Sequence, residues 1–109
     1  MDETDWPPIA ALYDALGELA PSPVVELNRA VAVGMAFGPA AGLDLIDALG
    51  SEPSLQGYHL LPSIRGDLLA KLGRMEEAVA EFRRAAALTR NARERGLLLE
   101  RAAAAARDA

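Results

Sequence analysis

The stretch GDLLAKLGRMEEAVAEFRRA, Gly66–Ala85, contains the pattern that decides the fold. Gly66 and Ala78 are small enough to let two helix backbones approach closely. Phe82 lies one helical turn beyond Ala78 and fills the space between the helices, and Ala85 continues the same stripe. A Leu-Gly pair midway along the stretch marks a bend. The stretch therefore predicts two antiparallel helices.

Small and aromatic residues at this spacing are typical of the tetratricopeptide repeat. That repeat is a helix pair that cannot bury its apolar face alone and stacks on neighbouring pairs. The same pattern also fits an ordinary amphipathic hairpin in an alanine-rich protein. A second copy of the unit would favour the repeat.

A weaker copy does precede the stretch by 36 residues. This offset places Gly42 on Ala78 and Ile46 on Phe82, so that a small residue meets a small one and a large apolar residue meets another. Arg29 falls on Arg65, and we expect both to be structural ion-pair residues. The two copies predict degenerate units of one repeat.

The fold class predicted for the whole chain is all-α, with about six antiparallel helices in a tetratricopeptide-like stack of helix pairs. Asp5 is expected to cap the first helix, and Asn91 with Glu94 forms a capping box for the last. Pro62 requires that the fourth helix either begins late, near Leu61, or kinks. The expected organisation is a single domain, 1–109, with repeat units at about 22–55 and 58–91 and flanking helices at about 6–20 and 92–107.

Composition limits the classes of function. The chain has no cysteine, so it has no disulfide framework and no thiolate metal site, which fits a cytoplasmic location. Its longest apolar stretch, 24–49, is interrupted by charged residues and does not predict a membrane span. No basic-then-apolar leader opens the chain. We therefore expect no membrane association.

Charge is distributed unevenly along the chain. Residues 1–57 hold nine acidic residues and one basic residue, whereas residues 58–109 hold seven acidic and ten basic residues. Such polarity can orient a partner through long-range attraction, or it can simply belong to solvated helix faces. With a net charge of −5 and no aromatic residues among the arginines, we expect no direct binding of DNA.

Residues for catalysis or cofactor binding are sparse. His59 is the single histidine, and no cluster of histidines or carboxylates has metal-ligand spacing, so we expect no metal. His59 itself is expected to be a surface or half-buried packing residue. The Gly34, Gly38 and Gly42 series lacks the Lys-Ser or Lys-Thr of a phosphate loop. We expect neither an enzyme nor a cofactor.

An ordered set of motifs along nearly the whole chain resembles the C-terminal extension of a group of bacterial extracytoplasmic-function sigma factors. The resemblance rests on the segments Trp6–Ile9, Leu12–Asp14, Pro21–Val33, Gly38–Pro39, Gly57–Leu60, Arg65–Leu69, Leu72–Arg74 and Leu88–Asn91, with Glu94–Arg95.

The resemblance implies a tetratricopeptide-like regulatory domain that follows two sigma regions, which bind core RNA polymerase and promoter DNA. Its implied partners are those core regions of the sigma factor and RNA polymerase itself. Neither sigma region is present in the 109 residues, so we do not expect this chain to initiate transcription by itself. Arg90, near where the repeat usually places a proline, departs from the pattern.

In stacked helix pairs the first helix of each pair lines the concave surface, which predicts a partner-binding groove. Asn28 there would bind a peptide backbone or satisfy a carbonyl across the helix pair. The predicted groove residues are Val24, Leu27, Asn28, Val31, Met35, Leu60, Ile64, Asp67 and Lys71.

Three functions follow from this pattern. The first is a regulatory protein-interaction domain of a sigma factor. The second is a free-standing adaptor that binds peptides outside transcription, and the third is a small-molecule sensor, because a helical groove binds ligands without a short motif. A short stack also leaves exposed ends, which would permit a homodimer.

Overall fold

A computed structural model of the chain describes residues 6–19 and 22–109, and the side chains of all these except 17–19. The described residues form six α-helices and no strand, so the predicted all-α fold is confirmed. Two compact units divide the chain, Met1–Glu52 and Pro53–Ala109. The helices are α1 (Trp6–Leu19), α2 (Pro23–Phe37), α3 (Pro39–Ala48), α4 (Leu60–Lys71), α5 (Met75–Leu88) and α6 (Ala92–Asp108), with a short 3₁₀ turn at Pro53–Leu55.

Prolines and a glycine set the helix boundaries of the first unit. Pro23 and Pro39 occupy the first positions of α2 and α3, where a missing N–H removes no helical hydrogen bond. Gly38 between them has φ +107°, a backbone conformation that other residues rarely adopt. Asp5, expected to cap α1, lies outside the described residues.

Close backbone approach joins α2 to α3. A Cβ atom added at Gly42 would lie 2.9 Å from both the Ala30 carbonyl oxygen and the Gly34 Cα. Leu27 of α2 and Ile46 of α3 are buried in the same unit. The Gly34-Gly42 pair is therefore a packing feature, because no larger residue would let the two helices lie this close.

The second unit uses a glycine differently. A Cβ atom added at Gly66 of α4 would lie 2.9 Å from two ring carbons of Phe82 on α5. Ala78 and Ala85 are fully buried along the same face of α5. The bend between the helices contains Gly73 with φ +78°, so the predicted helix pair is present.

The starts of α4 and α6 can be compared with the boundaries predicted from Pro62 and Asn91. The α4 helix begins at Leu60, so the buried Pro62 lies in its first turn; of the two alternatives, a start near Leu61 or a kink, this start agrees with the first. The Asn91 side chain accepts a hydrogen bond from the backbone N–H of Glu94, which confirms one half of the predicted capping box; the Asn91 N–H donates to the Thr89 hydroxyl instead of to Glu94. Arg95 donates to the carbonyls of Ala86 and Thr89 and so satisfies the end of α5.

The 36-residue offset is visible in the structure. Helices α3 and α5 begin 36 residues apart, at Pro39 and Met75. Within their own units, Arg29 forms ion pairs with Asp14 and Glu26, and Arg65 pairs with Glu81 at 2.9 Å. The structural role expected for both arginines is confirmed.

No helix in residues 6–19 and 22–109 is long and apolar enough to cross a membrane.

Candidate functional site

An exposed row of side chains follows α2. Val24, Asn28, Val31 and Met35 are spaced by four, three and four residues, so they share one face of the helix. Val24 is 48% exposed, Met35 is 45% exposed, Asn28 is exposed and Val31 is half-buried. Leu27, predicted to belong to this surface, is 2% exposed; its assignment to the groove is wrong because it packs into the core of the unit. We call the remaining four residues the α2 stripe.

The corresponding row on α4 has the same spacing but different chemistry. Leu60 is exposed, Ile64 and Asp67 are half-buried, and Lys71 is exposed. The Lys71 Nζ atom lies 3.3 Å from the Asp67 carboxylate, so the last two residues form an ion pair on the helix surface. We call these four residues the α4 stripe.

The two stripes are equivalent under the 36-residue offset, position for position. Each lies on the helix that opens a helix pair, and each begins with an exposed aliphatic residue. The α2 stripe then continues with an amide and two apolar residues, whereas the α4 stripe changes to a charged pair. All the predicted groove residues except Leu27 are thus at least partly accessible to solvent.

A cavity of about 430 Å³ opens between α4 and α6 in the second unit. The sequence predicted the α4 wall in part, through Leu60, but did not assign any residue of α6 to it. The capping box located the start of α6 without indicating which face of that helix would turn toward α4. The lining residues are His59, Leu60, Ser63, Glu94, Leu97, Leu98, Glu100, Arg101 and Ala104.

A polar network includes two of the residues that line this cavity, His59 and Glu94. The Nε2 atom of His59 lies 2.8 Å from an oxygen of Glu94, and the Thr89 hydroxyl donates to the same oxygen at 3.0 Å. The rings of Tyr58 and His59 are in an edge-to-face arrangement, with their centres 5.8 Å apart. His59 is half-buried, as expected, and its Glu94 partner is the contact that the sequence missed. The network links the starts of α4 and α6.

Arg101 links the cavity wall to the core of the unit. Its guanidinium carbon lies 5.9 Å from the centre of the Phe82 ring, within the range of a cation–π contact. The same ring packs against Gly66. Arg101 of the cavity wall therefore contacts the same Phe82 ring that packs against Gly66. The position of this wall is expected to depend on how closely α4 and α5 pack.

Residues 6–19 and 22–109 bring together no three histidine, cysteine, aspartate or glutamate side chains that could hold a metal ion. What the described surfaces offer is apolar area flanked by hydrogen-bonding and charged groups, an arrangement that suits binding.

Comparison with curated proteins identifies a relative of the chain. The chain is 50% identical over 93 residues, or 85% of its length, to an uncharacterized protein of Rhizobium meliloti (strain 1021). The matched segment is 22% of that protein, so the chain spans about a fifth of the length of the curated relative it matches. No protein-family profile matches the chain. No solved structure matches it either.

Proposed function

We propose that the chain is a regulatory protein-interaction domain of an extracytoplasmic-function sigma factor. Its first-helix surfaces would bind a segment of the sigma factor's core regions or of another protein, and so modulate transcription initiation. The observation that carries the binding role is the pair of equivalent stripes on α2 and α4. The link to sigma factors rests on the sequence resemblance.

The α2 stripe has the features of a peptide-docking surface. Three aliphatic or thioether side chains offer apolar area, and Met35 adapts readily to different partners because its side chain is unbranched. The exposed Asn28 amide makes no hydrogen bond within the described part of the chain, which favours the peptide-binding role over the structural one. Apolar anchors with a polar group beside them are typical of helix-groove recognition.

The length of the relative fits this proposal. Its segment similar to this chain lies within a much longer protein. A regulatory module needs a neighbouring domain or partner to regulate, and a longer protein has room for one. Binding by a free-standing adaptor remains the alternative, and it predicts activity without any sigma region nearby.

A second candidate function is small-molecule sensing through the α4–α6 cavity. Its volume of about 430 Å³ lies within the usual range of ligand pockets. The exposed Leu97 lines it, so the cavity is open to solvent. A closed apolar cavity would have favoured a sensor more strongly, whereas an open groove suits an extended segment of protein.

The proposal is tested in the complete reading frame that contains this chain. Promoter-specific transcription with purified core RNA polymerase is measured with and without residues 1–109. Removing the domain is expected to change the initiation rate several-fold, and an unchanged rate would contradict the regulatory role.

Point variants then locate the surface. Val24→Glu with Met35→Glu places charges on exposed positions, so the helix is expected to fold while the docking surface is lost. Phe37→Glu is the matched control, because Phe37 is 65% exposed and lies on the opposite side of α2 from Met35. The double variant should reproduce the effect of the deletion and the control should not.

A further inference from the structure

The division into two units coincides with a change in the sign of charge. Met1–Glu52 contains nine acidic residues and one basic residue, a net charge of −8. Pro53–Ala109 contains seven acidic and ten basic residues, a net charge of +3. The α2 stripe therefore lies on a strongly acidic unit. The electrostatic field of that unit attracts positively charged partners and repels negatively charged ones.

The single base of the first unit is already paired. Arg29 donates to Glu26 at 2.8 Å and also pairs with Asp14 of α1. The hydrogen bond with Glu26 raises the pKa of Arg29, so the guanidinium stays protonated and is held within the unit. An acidic partner of this unit would thus find no free cation in residues 6–19 and 22–52, whereas a basic partner would be attracted by the net charge of −8.

The stripe also fixes the shape of the partner. From Val24 to Met35 it rises through eleven residues, about 16 Å along the helix axis, which is three turns. Its members recur at intervals of four, three and four residues. A second helix with apolar side chains at the same intervals would pack along it, as helices do in grooves and coiled coils.

We propose that the α2 stripe binds a basic amphipathic helix, with apolar side chains on its docking face and Lys or Arg beside them. This inference rests on the proposed interaction function and names the chemistry of the partner. The α4 stripe does not carry the same specificity, because it ends in the Asp67–Lys71 ion pair and belongs to a unit of opposite net charge.

The test uses the 109-residue chain and two labelled helical peptides of about 15 residues, the length near which helices become stable. One contains Leu, Ala and Lys in an amphipathic pattern, and the other has Glu in place of each Lys. Fluorescence anisotropy is expected to show binding of the Lys peptide alone. Raising the salt concentration to about 1 M should weaken that binding at least several-fold by screening.

Variants that do not change the charge distinguish the contribution of the apolar side chains to peptide affinity from that of charge attraction. Val24→Ser with Met35→Ser keeps the charge of the chain and should weaken binding about tenfold, since two apolar anchors are lost. Phe37→Ser removes an apolar residue that is even more exposed, on the other side of α2, and should leave the affinity unchanged. Circular dichroism and Trp6 fluorescence verify that all variants are folded.

Several outcomes would overturn the inference. These are equal binding of both peptides, preference for the Glu peptide, equal losses in the Phe37→Ser control, or displacement of the Lys peptide by self-association of the chain. If the Lys peptide fails to bind while deletion of the domain still alters transcription, only this inference falls. If it binds as expected while deletion changes nothing, the docking surface stands and the regulatory function falls.

Discussion

The two units solve one packing problem in two ways. In the first unit, Gly42 lies against backbone atoms of Ala30 and Gly34, so glycine faces glycine across the helix pair. In the second, Gly66 lies beneath the ring of Phe82, so the space left by one missing side chain is filled by a large one. The same helix-pair architecture thus accommodates either a backbone contact or an aromatic ring at the point where the two helices lie closest.

The difference extends to the surface. The acidic first unit presents a mostly apolar stripe, and the basic second unit presents a stripe that ends in an ion pair and adjoins an open cavity. Duplicated geometry with divergent chemistry would let one chain bind two different segments.

The largest expected effect comes from adding one methyl group at each close approach. Gly42→Ala is expected to cost about 3 kcal/mol of unfolding free energy, because its new Cβ meets backbone atoms that move only with the helices. Gly66→Ala is expected to cost about 1 to 2 kcal/mol, because a side-chain ring yields more easily. Urea unfolding followed by circular dichroism measures both.

A double-mutant cycle sharpens this contrast. Phe82→Leu removes the ring carbons that Gly66→Ala would meet, so the double variant should be more stable than the sum of the single losses by about 1 kcal/mol. Phe82→Leu combined with Gly42→Ala is the control. Those residues lie in different units and their effects should add; coupling there would contradict the separation of the two contacts.

Ion pairs are expected to contribute unequally. Arg65→Met should cost about 2 kcal/mol, because it removes the 2.9 Å partner of the Glu81 carboxylate, which is only 12% exposed, and leaves it only the more distant Arg84 at 3.7 Å. Arg29→Met, at the equivalent position, should cost about 0.5 kcal/mol, because Asp14 and Glu26 regain water. Urea unfolding again gives both values, and equal losses would show that burial does not distinguish the two pairs.

Helix caps provide the smallest contrast. Asn91→Ala removes the hydrogen bond to the Glu94 N–H and should cost about 1 kcal/mol. Ser22 occupies the same position before α2 but makes no side-chain capping bond, so Ser22→Ala should change stability by less than about 0.5 kcal/mol. Thermal unfolding monitored by circular dichroism separates them. A larger loss for Ser22→Ala would contradict the assignment of the caps.

Local signals in the sequence predicted much of the fold. The Asn91 cap and the Gly66-Phe82 spacing each act over a few residues or one helix pair. Such features depend on backbone geometry and side-chain size, and both are readable from the chain. The rule that the first helix of each stacked pair lines the concave surface predicted the groove residues, and all of them except Leu27 form the two stripes.

Periodicity did not predict which residues of a helical face would be buried by neighbouring helices and which would stay exposed. Leu27 lies one turn from Val24 and has similar chemistry, yet it is buried while Val24 is exposed. The α6 wall of the cavity and the His59–Glu94 contact likewise join residues far apart in the chain. These depend on the rotation of each helix against its neighbours, which packing of the whole unit sets.

The sequence by itself therefore determined the helices, their ends, the repeat offset and the spacing of the stripes, because these follow from local backbone preferences and side-chain volumes. Only the tertiary structure decided that Leu27 packs inward, that α6 completes a cavity, and that glycine meets backbone in one unit and an aromatic ring in the other. Those outcomes arise from long-range packing, in which each helix turns to bury the most apolar area that its neighbours allow.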